Sequence, residues 1–270
     1  MAKVKKQRDV IKIKLRQKGY SKGYQHSRTH KPDESYSENS QQVDMCREMY
    51  EEEEKEFLKS LKKTDEQIYE IERRTAVQNK DGEWMEQRRK LITASNFGKI
   101  CKLRKITNTA GTIKSILYNC NTALNASKSL QYGQCNEMHA REIFEEEFSM
   151  SVVSCGLFVH EEYSFLGAFP DGLIDEDSII EIKCPFSARD LTVEEAVKSK
   201  IIKFCYIDTE NKIRLKPNDS YMYQIQGQLE ITDRKYCYFF VYTRKDYHCE
   251  LILTDSDFWQ SKMIEKLQKF

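Results

Sequence analysis

A mixed α/β domain with one central sheet is the fold class this sequence predicts. Three observations lead there. Helix-patterned segments come before a series of short β-prone runs, and helical patterning returns near the end of the chain. From Ser151 onward the texture changes to brief stretches of Val, Ile, Phe and Tyr separated by charged or Gly-containing turns. Met1 to Ser40, by contrast, is rich in Lys, Arg, Ser and Gln, and buries too little surface to offset its ordering entropy.

The elements follow in chain order. Residues 1–40 form a basic tail, in which eight Lys and Arg from Lys3 to Lys18 oppose only Asp9. Such a tail suits phosphate contact or nuclear import, and equally a solvated segment with no dedicated partner. His26 and His30 are four apart, but no second ligand pair lies near them, so no metal site is expected there. Residues 41–83 form a charged helical extension: apolar positions such as Met45, Met49, Phe57, Leu61, Ile68 and Ile71 support one or two amphipathic helices between Gln42 and Gln78. Asn79 to Gly82 breaks that pattern, and the main domain is expected from Trp84 to Phe270.

Within that domain, helices are predicted around Thr93–Cys101, Thr112–Ala123 and Gln131–Phe148. Strands follow at Val152–Val159, Phe165–Phe169 and Ile179–Lys183. A helix over Ser220–Ile231, strands near Lys235–Thr243 and His248–Leu253, and a closing helix over Ser256–Phe270 complete the chain. The span Cys205–Pro217 reads as a hairpin or a substrate-facing loop.

The totals limit the function classes. The net charge of +1 hides a strongly basic stretch from Met85 to Lys128, where nine Lys and Arg oppose Glu86 alone. Nine cysteines without a CxxC pair argue against a disulfide framework and a zinc module, and read as reduced packing residues. No apolar run reaches the ~20 residues needed to cross a bilayer, and the N-terminus has no apolar stretch of signal-peptide length. The expectation is a soluble intracellular protein, nuclear in a eukaryotic host and cytoplasmic otherwise, with no membrane partner.

The stretch FLGAFPDGLIDEDSIIEIKCP, Phe165 to Pro185, carries the chemistry. Side chains alternate along a strand, so Glu181 and Lys183 share one face while Ile180, Ile182 and Cys184 take the other. A turn at Asp175–Ser178 would fold the segment back and bring Asp171 beside Glu181, so that two carboxylates converge with one ammonium. Adjacent carboxylates repel, and one keeps its proton unless a hard cation resolves the conflict. Mg²⁺ accepts a couple of carboxylates and completes its shell with water and phosphate oxygens. By itself, this spacing also fits an exposed Glu/Lys pair worth less than about 1 kcal/mol. Cys184 is expected to point away from the site, as packing rather than nucleophile.

FPDGLI followed by IIEIKCP resembles the core of the PD-(D/E)xK nucleases, specifically the branch of YqaJ-like viral recombinases and phage lambda exonuclease. Three further segments match that branch in order. WMEQRRKLITASNFGKI resembles its W-x3-R-x6-S pattern, YGQCNEMHAREIFEE its G-x3-E-x2-A helix, and YMYQIQGQLEIT its Y-x2-Q helix. The match covers Trp84 to Phe270 and implies a restriction-endonuclease-like core with the sheet flanked by helices. It implies that Asp171 and Glu181, with Glu137 and the carbonyl of Ile182, hold Mg²⁺, with Mn²⁺ as a substitute. It implies that Lys183 positions the attacking water, that Gln224 lies near the catalytic carboxylates, and that Arg88 and Ser95 bind the DNA 5′-phosphate. Lys90, Lys99, Lys102, Tyr221 and Gln228 are candidate contacts to the DNA backbone, which set affinity without reading bases.

The resemblance therefore implies a metal-dependent exonuclease that degrades duplex DNA from free ends, 5′ to 3′. It allows a single-strand annealing protein as partner, and a homo-oligomer. A structure-specific or nicking endonuclease on the same core, or an idle DNA-binding module derived from a virus or mobile element, are the alternatives.

Overall fold

The computed structural model describes residues 46–77, 87–104, 106–118 and 128–270. The expectations placed on Met1–Ser40, on Trp84 and on the helix end at 119–123 lie outside these. The chain divides into two compact units, Met1–Tyr50 and Glu51–Phe270. Of the first unit only residues 46–50 are described, where helix α1 (Arg47–Leu61) begins.

In the second unit the central mixed sheet has the order β4–β5–β8–β9, built from Gly172–Ile174, Ser178–Lys183, Tyr236–Tyr242 and Tyr247–Leu253. The outer pairs are antiparallel, and β5 runs parallel to β8, with Glu181 opposite Phe239 and Lys183 opposite Val241. A second small sheet, β1–β3–β2, is formed by Ile92–Thr93, Leu166–Ala168 and Phe158–Val159.

Helices lie on both faces of the central sheet. Helix α5 (Lys128–Phe148) lays Ala140 and Phe144 on Ile180, Ile182 and Phe240. Helix α7 (Ser220–Thr232) packs Ile225 and Leu229 with Ile179 and Phe239 on the other face. Asp219 caps α7 by accepting from the Tyr221 N–H at 3.0 Å, and Asp233, at φ 50°, ends it in the left-handed conformation. Helix α3 (Ala94–Cys101) crosses α7 where both have glycine. A Cβ on Gly98 would stand 2.5 Å from the Ser220 Cα, and one on Gly227 would stand 2.3 Å from the Phe97 ring. This close crossing sets the start of α3 opposite the inner face of α7.

Several elements differ from their sequence patterns. The strand expected over Val152–Val159 shrinks to Phe158–Val159 and one bridge at Val153. Side chains on neighbouring helices take its backbone groups: Glu145 accepts from Val152 N, Glu72 from Gly156 N and Thr75 from Leu157 N. Those last two residues lie on α2 (Asp65–Val77), whose Ile68 and Ile71 pack against Leu91, Leu157 and Val159. The second helix of the extension thus joins the core of the main domain. The helix expected from Thr112 begins earlier, as α4 (Ala110–Tyr118).

Cys205–Ile207 and Ile213–Leu215 pair as the hairpin β6–β7, resolving the choice between hairpin and loop. Helix α6 (Val193–Lys198) went unpredicted although its capping box, Thr192 with Glu195, is legible in the sequence. The closing helix is interrupted by a π-helical stretch, Trp259–Ile264, between α8 (Ser256–Phe258) and α9 (Glu265–Lys269).

Candidate active site

The site forms where β5 outruns β4. Gly172 pairs with Ile180, so the backbone of β5 beyond that point has no strand partner on this edge among the described residues. Asp171 takes the place of one. Its N–H donates to the Ile180 carbonyl at 3.2 Å, and its Oδ2 accepts from the Ile182 N–H at 2.6 Å. Because N–H and C=O of one strand residue point to the same edge, the Ile182 carbonyl also lies on the side of Asp171. The turn that makes this possible is held by Arg234, whose guanidinium donates to the carbonyls of Asp175 and Ser178 at 2.9 and 2.8 Å.

Glu181 is almost wholly buried, at 1% exposure, and its carboxylate accepts from three side chains. Lys183 and Gln224 donate to Oε1, the latter at 2.6 Å, and Gln228 donates to Oε2 at 2.7 Å. Gln224 and Gln228 are one turn apart on α7, which directs both amides at β5. Gln228 also approaches the Phe169 carbonyl at 3.4 Å, while its own Oε1 is buried with no partner among the described residues.

These groups line a cavity of about 230 Å³ together with Arg88, Thr93 and Ser95. The start of α3 opens onto it. Thr93 stands at the N-cap without making a side-chain cap bond; its hydroxyl instead lies 3.1 Å from that of Ser95 and accepts from Asn96 at 3.2 Å.

Burial, reinforced by the nearby charge of Glu181, raises the Asp171 carboxyl well above its ordinary pKa, against the pull of Lys183. For Lys183, burial opposes the charged form, but Glu181 and Asp171 outweigh it and hold the amine above its usual value. Surrounding protein is the first cause that raises Glu137, with Glu181 adding and Lys183 opposing, although the side chain as a whole keeps access to solvent. Cys184, packed against the cluster under α5, has its thiol pushed up to about 12, first by burial and then by Glu137, which leaves it inert as a nucleophile.

The structure therefore brings together Asp171, Glu181, Lys183, Gln224, Arg88 and Ser95 around one cavity. Glu137 sits on α5, on the opposite side of β5, and reaches this charge cluster from beyond the cavity lining. Lys90, Lys99 and Lys102 lie outside the lining on exposed positions, with Lys102 3.4 Å from the Ser220 hydroxyl. Two expected backbone contacts are placed differently, because α7 turns that face inward. Gln228 is 1% exposed and serves Glu181, and Tyr221 packs its ring beneath the Lys183 amine at 4.8 Å. Sequence reasoning missed Phe204 and Phe239, which flank Tyr221; no local pattern joins residues so far apart in the chain.

The family model described as the YqaJ-like viral recombinase domain matches residues 83–235. The chain belongs to this family. Among solved structures, the YqaJ-like domain is similar to an alkaline exonuclease (LHK-Exo) from Laribacter hongkongensis. Identity is 25% over 70% of this chain and 90% of that one, with a TM-score of 0.54. The same protein in complex with dAMP matches at 24% identity over 69% and 88% of the two chains, with a TM-score of 0.53. Comparison with curated protein sequences finds no match. The restriction-endonuclease-like layering expected for a YqaJ-like domain, a mixed sheet between helices, is the architecture described above. Every described cysteine is a free thiol, and no described helix is long and apolar enough to cross a membrane.

Proposed function

We propose that this YqaJ-like domain is a metal-dependent DNA exonuclease of the viral-recombinase type that hydrolyses duplex DNA 5′ to 3′ from free ends. The observation that carries the reading is the meeting, in one cavity, of two carboxylates and an amine with a guanidinium and an open helix start. Family membership and the 25% identical alkaline exonuclease of the same fold support it.

The donor set fits a hard cation. Among the described residues no three His, Cys, Asp or Glu side chains gather as a metal site; Asp171, Glu181 and the Ile182 carbonyl offer two carboxylates and a carbonyl, oxygen alone. That matches Mg²⁺, which uses one or two carboxylates and leaves places for water and phosphate. Mg²⁺, or Mn²⁺ in its place, would be held by Asp171, Glu181 and the Ile182 carbonyl with Glu137 at the rim, neutralising phosphate charge and acidifying a water.

The chain's own groups do the rest. Lys183, as an ammonium, donates to the attacking water and fixes its line of approach to phosphorus. Gln224 and Gln228 hold the Glu181 carboxylate in one orientation. Arg88 and Ser95 hold the terminal 5′-phosphate beside the N–H groups at the start of α3, which the Thr93 side chain leaves uncapped. Lys90, Lys99 and Lys102 add contacts along the DNA backbone whose strength falls with salt. A single-strand annealing protein and further copies of the chain are partners compatible with this activity.

The test is incubation of end-labelled linear duplex and covalently closed circles with Mg²⁺, Mn²⁺, Ca²⁺ or chelator. The expected result is loss of label from linear DNA with Mg²⁺ or Mn²⁺ only, circles remaining intact. Nicking of circles would replace the exonuclease by an endonuclease, and binding without cleavage would make the domain an idle DNA-binding module.

A further inference from the structure

Besides the nearby charge of Asp171, the Lys183 amine has two close contacts among the described residues, a carboxylate and an aromatic ring. It donates to Glu181, and its Nζ stands 4.8 Å from the centre of the Tyr221 ring. That distance is within the range over which an ammonium is attracted to an aromatic face. The Lys183 side chain is 20% exposed, so the attraction operates away from most of the screening water.

The ring itself is immobilised. Phe204 meets it edge-on with ring centres 5.0 Å apart, and Phe239 lies tilted at 6.3 Å. Phe239 belongs to β8 and is the register partner of Glu181, so the sheet that presents the carboxylate also backs the ring. Phe204 comes immediately before β6 and is itself packed on Phe239 at 6.1 Å. The hairpin β6–β7 is anchored there, with Cys205 and Leu215 buried in the core under α7 and Lys216 N donating to the Phe204 carbonyl at 2.9 Å. A hairpin without a polar group in the cavity is thereby tied, through two aromatic rings, to the amine of the site.

We propose that Tyr221 is a positioning residue for Lys183: its ring, wedged between Phe204 and Phe239, holds the amine beside Glu181 and aimed into the cavity. The proposal rests on the nuclease reading above for its effect on rate, and on geometry alone for the contact. The ring face is the working part, so the hydroxyl is dispensable.

Two measurements test it. In metal-free protein carrying ¹³C-lysine, the ε-methylene protons of Lys183, identified by their loss in Lys183→Ala, are expected upfield of other lysines through the ring current. That shift should persist in Tyr221→Phe and vanish in Tyr221→Leu. In cleavage of linear duplex, Tyr221→Leu is expected to lower kcat on the order of tenfold with KM little changed, while Tyr221→Phe stays within about threefold of wild type.

An unshifted Lys183 resonance in the wild-type protein overturns the proposal, and needs no variant to fold. Wild-type kcat in a folded Tyr221→Leu overturns it as well, as does equal damage by Phe and Leu. Absence of cleavage by the wild-type protein alongside the ring-current shift would instead sink the nuclease reading, and with it the effect on rate, leaving the contact established.

Discussion

Helices α5 and α7 lie on opposite sides of β5 and treat it in opposite ways. Under α5 the strand shows Ile180 and Ile182 to Ala140 and Phe144, an apolar contact, with Glu137 near the charge cluster as the exception. Under α7 it shows Ile179 and then Glu181 and Lys183, and α7 answers with Ile225 and then Gln224 and Gln228. Replacing such a buried ionic cluster by apolar residues would commonly cost a fold nothing, so stability does not explain its presence. The apolar side holds the strand in place, and the polar side uses it.

The sharpest way to break the comparison is to damage each side equally and ask what is lost. Glu181→Ala leaves the Lys183 ammonium and two amides without their acceptor, and should cost about 3–5 kcal/mol of stability and all cleavage. Phe144→Ala, a fully buried ring on the α5 side, should cost a similar 3–5 kcal/mol but leave cleavage per folded molecule unchanged. Denaturant unfolding and single-turnover cleavage on the same samples distinguish the two; parallel loss of both properties in both variants would erase the division of labour.

A finer test removes one amide. Gln228→Leu keeps much of the volume but deprives Glu181 Oε2 of its donor, and should weaken Mg²⁺ binding, followed by calorimetry, by about 10–100-fold. The loss in thermal stability should be smaller than for Phe144→Ala.

The smallest effect is on pH dependence. The folded state raises the pKa of Asp171, so it binds a proton more tightly than the unfolded chain. Metal-free protein should then be most stable with respect to this group below the ordinary Asp pKa, about 4, and should lose that increment as pH climbs toward the raised value. Asp171→Asn retains an acceptor for the Ile182 N–H, and should flatten this slope in a series of thermal melts without metal. An unchanged slope would mean that burial and the neighbouring Glu181 do not raise the Asp171 carboxyl as described.

The same contrast accounts for what was legible in the sequence. Glu181 and Lys183 stood out because a strand alternates its faces, and a polar pair on one face of an otherwise apolar run breaks the expected pattern. Gln224 and Gln228 could be aligned because helical neighbours recur every turn. Asp171 was readable as a partner through the short turn that follows β4. Local periodicity failed where the deciding bond came from afar, as at Val152–Val159, whose backbone is claimed by Glu72, Thr75 and Glu145. It also failed at Gln228 and Tyr221, because which way a helix faces depends on the close crossing at Gly98 and Gly227.

The most direct measurement is Mg²⁺-dependent cleavage of 5′-labelled linear duplex by wild-type protein and Lys183→Ala, with matched folding checked by circular dichroism. The account predicts release of labelled mononucleotide by the wild-type protein and a fall of about 10²–10⁴-fold in the variant. Cleavage at the wild-type rate by folded Lys183→Ala would contradict it.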